Sequence, residues 1–326
     1  MNEFIVAPDP LDPRLTRTVS GIDQTGAAVE TKVPVERPLT LYLNGQEIVT
    51  MMTIGDHPED LALGYLLNQN MLRPGDLTRA DAGDLTRADA DDLTRADADD
   101  VTRADADDVT GIDFDDDLGV VVVRTAHRTN FEEKLKKKTL TSGCAQGTAF
   151  GDVMERFDRV RLDPDAVIRT SWLYALSRKI NTRPSLYLEA GAIHGCVLCE
   201  ADRPLLYMED VGRHNAIDKI AGYMYRNAIP AAGKMLYTTG RLTSEMVIKT
   251  VQMEIPVLVS RSGFTASGVD LARQAGLTLI GRAKGSRFVV LAGAERLRFD
   301  APVPEGSTGE RRSRGDGARE REASDD

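Results

Sequence analysis

The chain has 326 residues and a formal charge of −10, long enough to bury the core of one large domain or two modest ones. Aromatics are only 5%, so aliphatic side chains must build that core, and the acidic balance argues against general nucleic-acid affinity while leaving room for a local basic site. Three cysteines in a chain of this length do not make a disulfide framework, so each is a thiol to be explained by packing, metal or reactivity. The opening MNEFIVAPDP carries no basic start followed by an apolar stretch. No run of roughly 18 apolar residues follows, and the expectation is a cytoplasmic protein that does not engage a membrane.

In chain order, LTLYLNGQEIVTMMT predicts a hairpin turning at Asn44-Gly45, because that pair tolerates the positive φ of a tight turn. DHPEDLALGYLLNQNML predicts a helix with Asp56 as N-cap and Pro58 in its first turn. Residues 75–108 then repeat an eight-residue unit, GDLTRADA and its variants. One large apolar residue per unit cannot offset the entropy of ordering, which predicts a solvated insertion. LGVVVVRT resumes as a strand, and DPDAVIRTSWLYALSRKI predicts a helix with Val167, Leu173, Leu176 and Ile180 on one face. From Ser185 onward the pattern reads strand, strand, helix, then alternating strands and helices to a final pair of strands. That alternation predicts a largely parallel sheet between helices. The segment from about Pro302, rich in charge, Gly and Ser, predicts a disordered tail.

Four stretches carry candidate chemistry. KLKKKTLTSGCAQGTAFGD places Lys134, Lys136, Lys137 and Lys138 ahead of Cys144, flanked by Gly143 and Gly147. Nearby cations favour a reactive thiolate and glycines permit a mobile loop, although a small buried cysteine fits as well. EAGAIHGCVLCE offers His194, Cys196 and Cys199 as zinc ligands or a redox pair. On a buried strand the two cysteines point to opposite faces, which favours core positions and no permanent metal. EDVGRHN gathers polar groups at a strand-to-helix junction, where His214 could shuttle protons, oriented by Asp210. TTGRLTSE and SRSGFTASG each set Gly, Arg and hydroxyls before a helix, and basic GRAKGSR follows. Helix starts present unpaired N–H groups, so two such loops suit a ligand with more than one phosphate.

Taken together, TSGCAQGTAFGD, EDVGRHNAIDKIAGY, TGRLTSEMVIKT, PVLVSRSGFTASGVDLA and LTLIGRAKGSRFVVLAG resemble the FdhD/NarQ family of formate dehydrogenase accessory proteins, with the likeness running from about Arg37 to Leu297 outside the repeats. The resemblance implies an α/β fold, a cytidine-deaminase-like three-layer domain with a smaller mixed N-terminal region. The division expected is 1–74 as a hairpin and helix region, 75–113 as the acidic octapeptide-repeat insertion, 114–301 as the rest of the α/β core with a catalytic loop near 141–148, and 302–326 as tail. It implies a sulfurtransferase that carries sulfur from a cysteine desulfurase, as a persulfide on Cys144, to the molybdenum cofactor. That cargo is the Mo-bis-molybdopterin guanine dinucleotide, destined for the formate dehydrogenase catalytic subunit. The implied partners are these two enzymes and a second copy in a homodimer. Cofactor contacts are expected at Arg282, Ala283, Lys284, Gly285, Ser286 and Arg287, with Arg241, Thr243, Ser244, Arg261, Ser262 and His214 completing the pocket. Many members carry Cys-x-x-Cys in the loop, whereas Gly147 stands at the second position here; one nucleophilic sulfur still suffices for transfer. A cofactor-binding chaperone without sulfur chemistry is the alternative. Zinc-dependent deamination is disfavoured, since Cys196 rather than a glutamate stands two residues after His194 and no proline precedes the first cysteine of GCVLC.

Overall fold

The computed structural model describes residues 4–73, 104–105, 109–126 and 150–303. Two short strands, β1 (Thr16–Ile22) and β2 (Ala28–Pro34), form an antiparallel ribbon near the N-terminus. β3 (Arg37–Leu43) and β4 (Gln46–Thr53) follow as the predicted hairpin, with Asn44 at φ 55° in its turn. Next come α1 (Pro58–Asn68) and β5 (Leu72–Arg73). β6 (Ala104–Asp105), in the last repeat unit, pairs with β5, so that pairing joins the two sides of the insertion. β7 (Val109–Asp115) and β8 (Val120–Thr125) close a four-stranded sheet of order β4-β3-β8-β7. Residues 109–113 therefore belong to this sheet rather than to the insertion, because Ile112 and Phe114 pack against its core.

Helix α1 has an unusual demand placed on it. Leu61, Ala62, Leu63, Leu66 and Leu67 are all buried, so the helix is apolar around most of its circumference and packs on two sides. One side meets the four-stranded sheet through Leu39, Leu41, Val121 and Val123. The other crosses a later helix described below. Its N-cap is His57, in the left-handed region at φ 49° with no side-chain cap bond, and not Asp56. Asp56 is drawn instead into an ion pair with Lys219. Pro58 occupies the first helical position as expected, where its missing N–H costs nothing.

The rest of the described chain builds a three-layer unit. α2 (Phe150–Arg159), β9 (Ile168–Arg169), α3 (Thr170–Asn181) and the short α4 (Leu186–Ala190) precede β10 (His194–Glu200) and β11 (Arg203–Asp210). Then follow α5 (Arg213–Arg226), β12 (Lys234–Thr238), α6 (Ser244–Gln252), β13 (Val257–Ser260), α7 (Ala266–Ala275), β14 (Thr278–Lys284) and β15 (Arg287–Ala292). A two-residue β16 (Leu297–Arg298) pairs with β9. Among the described residues this makes a mixed α/β protein with several sheets and seven helices.

The central sheet has the order β11-β10-β12-β13-β14-β15. Only β12/β13 and β13/β14 are parallel, while the other three pairings are antiparallel, so the expectation of a largely parallel sheet is corrected to a mixed one. The cause is connection length: β10–β11 and β14–β15 are joined by tight turns, which force antiparallel neighbours, and only the α6 and α7 crossovers return the chain parallel. Side chains alternate across the sheet. Cys196, Leu198, Leu236, Leu258 and Leu279 face α2, α5, α6 and α7. Val197, Cys199, Tyr237, Val259 and Ile280 face α3. Within α3, Leu173, Leu176 and Ile180 are buried as predicted, but Val167 precedes the helix and is exposed, since Ile168 already turns the chain into a strand.

Candidate functional site at the carboxyl ends of the parallel strands

Because β12, β13 and β14 run parallel and adjacent, the loops that leave their carboxyl ends must lie side by side. Backbone bonds stitch them together. Leu242 N donates to Gly263 O at 2.9 Å, Thr265 N to Leu242 O at 3.0 Å, and Arg282 N to Ser262 O at 2.9 Å. The Ser260 hydroxyl donates to Gly240 O at 2.6 Å and accepts from Ser262 N at 2.9 Å, clamping one loop to the next. The structure thus brings Arg241, Thr243, Ser244, Arg261, Ser262 and Arg282 to one edge, although they span more than 40 residues of sequence.

Their side chains are held differently. Arg261 donates to Asn181 Oδ1 at 3.1 Å and lies 5.2 Å over the Tyr187 ring, so it is already oriented by protein. Arg282 is exposed, sits at φ 54°, and lies 5.3 Å over the Phe264 ring. A non-glycine residue at positive φ stores strain, as functional sites often do. Arg241 is exposed, and among the described residues neither it, Arg261 nor Arg282 has a carboxylate within salt-bridge distance. Beyond Arg282, Lys284 and Arg287 pair across the turn Gly285-Ser286, both exposed, while Gly285 N is bonded to Ser177 Oγ at 3.1 Å. Ala283 differs from its neighbours: it is 4% exposed, belongs to the core beside α3, and its carbonyl accepts from Tyr237 Oη.

The two helix starts also differ. Thr265, at the N-cap of α7, accepts from Gly268 N at 3.2 Å, which is ordinary capping. Thr243, at the N-cap of α6, makes no cap bond, and its buried hydroxyl has no hydrogen-bond partner among the described residues. A second orphan is His194 Nδ1, at the start of β10. Burial and the neighbouring cations Arg213 and Arg241 lower the His194 pKa, leaving the ring neutral and able to donate or accept. Buried polar atoms are nearly always satisfied, so these two orphans near Arg241, which has no carboxylate within salt-bridge distance among the described residues, suit an oxygen-rich anionic ligand. Short-range pattern points His194 toward zinc or redox chemistry with the cysteines; its place here follows from β10 pairing with β12, which is non-local.

His214 does not behave as predicted. It is 3% exposed, and its Nε2 lies 3.4 Å from Glu245 Oε2, not beside Asp210. Burial, with Lys249 and Arg213 nearby, drives its pKa down to about 2, so it stays neutral. Asp210 instead accepts from Thr53 Oγ1 at 2.5 Å and Asn215 Nδ2 at 3.1 Å, and pairs with Lys219 at 2.6 Å. Burial alone would push the Lys219 ammonium down, but Asp210 and Asp56 outweigh it and hold the pKa above the usual lysine range. Glu209 accepts from the backbone N–H groups of Leu186 and Tyr187, at the start of α4. The polar run EDVGRHN therefore mostly serves the interior.

Cys196 and Cys199 lie on opposite faces of β10, both fully buried and free. Burial pushes the Cys196 thiol up to about 12 and Cys199 higher still, so neither forms a thiolate at neutral pH. Among the described residues no three His, Cys, Asp or Glu side chains gather as a metal site, and no helix is long and apolar enough to cross a membrane. Cys144, the lysines before it and the expected loop at 141–148 lie outside the described residues.

Comparison with known proteins adds four findings. Residues 34–298 match the profile of the FdhD/NarQ family. The sulfur carrier protein FdhD of Listeria innocua is 26% identical over 280 residues, covering 82% of this chain and 92% of the relative. The protein of the same name from Wolinella succinogenes is 27% identical over 284 residues, covering 86% and 87%. A Desulfotalea psychrophila crystal structure, described as a candidate formate dehydrogenase accessory protein, superimposes with a TM-score of 0.62 at 23% identity. It covers 87% of this chain and 99% of its own, a likeness of fold.

Proposed function

This chain belongs to the FdhD/NarQ family, and on that premise we propose that it is a sulfur carrier acting through Cys144. In the proposed cycle the Cys144 thiolate attacks the outer sulfur of a cysteine desulfurase persulfide. A new S–S bond forms, the donor's S–S bond breaks, and the donor cysteine leaves as thiolate. The carried sulfur then passes to the molybdenum of the bis-molybdopterin guanine dinucleotide, the reduced metal supplying two electrons, and Cys144 departs as thiolate. The cargo is then ready for the formate dehydrogenase catalytic subunit.

The observation that carries this reading is the fate of the other two thiols. The sequence has three cysteines, and two are sealed in the core with raised pKa values, which leaves Cys144 to do any sulfur chemistry. The loops bearing Arg241, Arg261 and Arg282, with the unpartnered Thr243 hydroxyl and His194 Nδ1, support an anionic, phosphate-bearing cargo. The layered mixed sheet is compatible with a cytidine-deaminase-like core. A cytoplasmic homodimer and a dispensable repeat belong to the same reading; deleting 75–103 should leave sulfur transfer intact.

The test is an adduct map. After incubation with a cysteine desulfurase and cysteine, mass spectrometry should find one added sulfur on the Cys144 peptide. Cys144→Ala should abolish formate dehydrogenase maturation while guanine nucleotide binding persists. An adduct confined to Cys196 or Cys199 would overturn the assignment, and unchanged maturation in Cys144→Ala would favour a chaperone without sulfur chemistry.

A further inference from the structure

At the far end of α5 and α6 from the arginine loops lies a cavity of about 420 Å³, a volume typical of small-molecule sites. Its apolar floor is made by Leu67, Ala221, Met224, Ile229 and Met253, from α1, α5, α6 and the connections that follow them. Into this lining comes Gln252, the last residue of α6 and only 3% exposed. Its Nε2 donates to Val153 O at 2.9 Å, which fixes the amide, while its Oε1 is buried without a hydrogen-bond partner among the described residues. An unmet buried acceptor at the wall of an apolar cavity is unfavourable, and no donor among the described residues meets it.

Charge at the cavity is balanced. Two cations, Arg156 and Arg161, and two acids, Asp163 and Glu254, line it. Arg156 Nη2 already donates to Gln252 O at 3.1 Å, and Arg161 Nη1 to Asp158 O at 2.7 Å. A charged guest would find no net counter-charge, so a neutral one is preferred. We propose that this cavity is a second ligand site, for a neutral aromatic or heteroaromatic molecule of about 15–20 non-hydrogen atoms that donates one N–H or O–H to Gln252 Oε1.

N-phenyl-1-naphthylamine, a neutral aromatic amine whose emission rises in apolar surroundings, is a suitable probe for the full chain. Its binding should saturate at one probe per chain with Kd on the order of 10 μM. Ala231→Phe, which fills the cavity from its rim, should weaken binding at least tenfold. Gln252→Leu should weaken the amine about fivefold while leaving 1-phenylnaphthalene, which lacks the N–H, within about twofold. Failure to saturate below about 100 μM overturns the site, whether another part of the chain or a second copy covers it. Unchanged binding in a folded Ala231→Phe protein also overturns it. Should Ala231→Phe lower the melting midpoint and unfold, the Gln252→Leu pair decides alone: equal loss for both probes, or loss for neither, removes the proposed hydrogen bond.

Discussion

The seam between α1 and α5 and the loop edge beyond β12–β14 are both rich in charge, yet they use it in opposite ways. In the seam, Gly64 and Gly222 let two helix backbones touch, since a Cβ on either would collide with the carbonyl of Asp218 or Asp60. The ions there are matched: Lys219 with Asp210 and Asp56, Lys249 with Asp218, Arg226 with Asp60. Asn68 adds a bond to Asp218 at 2.7 Å. At the loop edge, Arg241 and Arg282 stand exposed without carboxylates, beside a buried hydroxyl that nothing in the described chain satisfies. Matched buried charge fixes the docking of the N-terminal sheet onto the core. Unmatched charge at strand ends is held ready for a ligand.

The sharpest way to break this contrast is Gly222→Ala. Alanine favours helix by about 1 kcal/mol, yet the backbone collision should separate α1 from α5 and cost more than about 4 kcal/mol in urea unfolding. A loss below about 1 kcal/mol would mean that the crossing is not close-packed. Lys219→Met should come next, at about 3–4 kcal/mol, because it leaves Asp210 buried without its cation. A neutral result would show that the seam's ions are decorative.

A smaller, pH-dependent effect belongs to His214, which sits between the two regions. Its folded pKa of about 2 lies below the unfolded value of 6.5, so the unfolded chain binds the extra proton. Its contribution is therefore complete above pH 6.5 and is lost as pH falls below that value, at about 1.4 kcal/mol per unit. His214→Gln should flatten the wild-type stability profile between pH 6.5 and 5; parallel profiles would refute the neutral, buried assignment.

At the loop edge the expected stability effects are the smallest. Arg282→Ala should change stability by under about 0.5 kcal/mol and weaken guanine nucleotide binding about fivefold to tenfold, measured by calorimetry. Thr243→Val should raise stability by up to about 1 kcal/mol, since it removes an unsatisfied buried hydroxyl, and should still weaken the nucleotide. If Thr243→Val destabilised the free protein, the hydroxyl would be structural and the contrast between seam and edge would blur.

Much of this architecture could be read along the chain. The succession from β10 to β15, the Asn44-Gly45 turn and the two hydroxyl-rich helix starts follow from short-range pattern, because periodicity and turn chemistry act over a few residues. The burial of Cys196 and Cys199 on opposite faces was legible for the same reason: strand geometry alternates side chains whatever the neighbours are. The candidate anion loops were visible one by one, as glycine, arginine and hydroxyls ahead of helices.

What local pattern could not supply was partnership. Asp56 looked like a cap and became a counter-ion, His214 was assigned to Asp210 and met Glu245, and His194 joined the arginine loops only because β10 lies against β12. Sequence by itself determined which backbone conformations, buried stripes and chemical side chains this protein has, since those depend on covalent structure and near neighbours. Tertiary structure alone decided which strands adjoin, which charges are matched and which are left open, because those depend on contacts between residues far apart in the chain that only packing brings together.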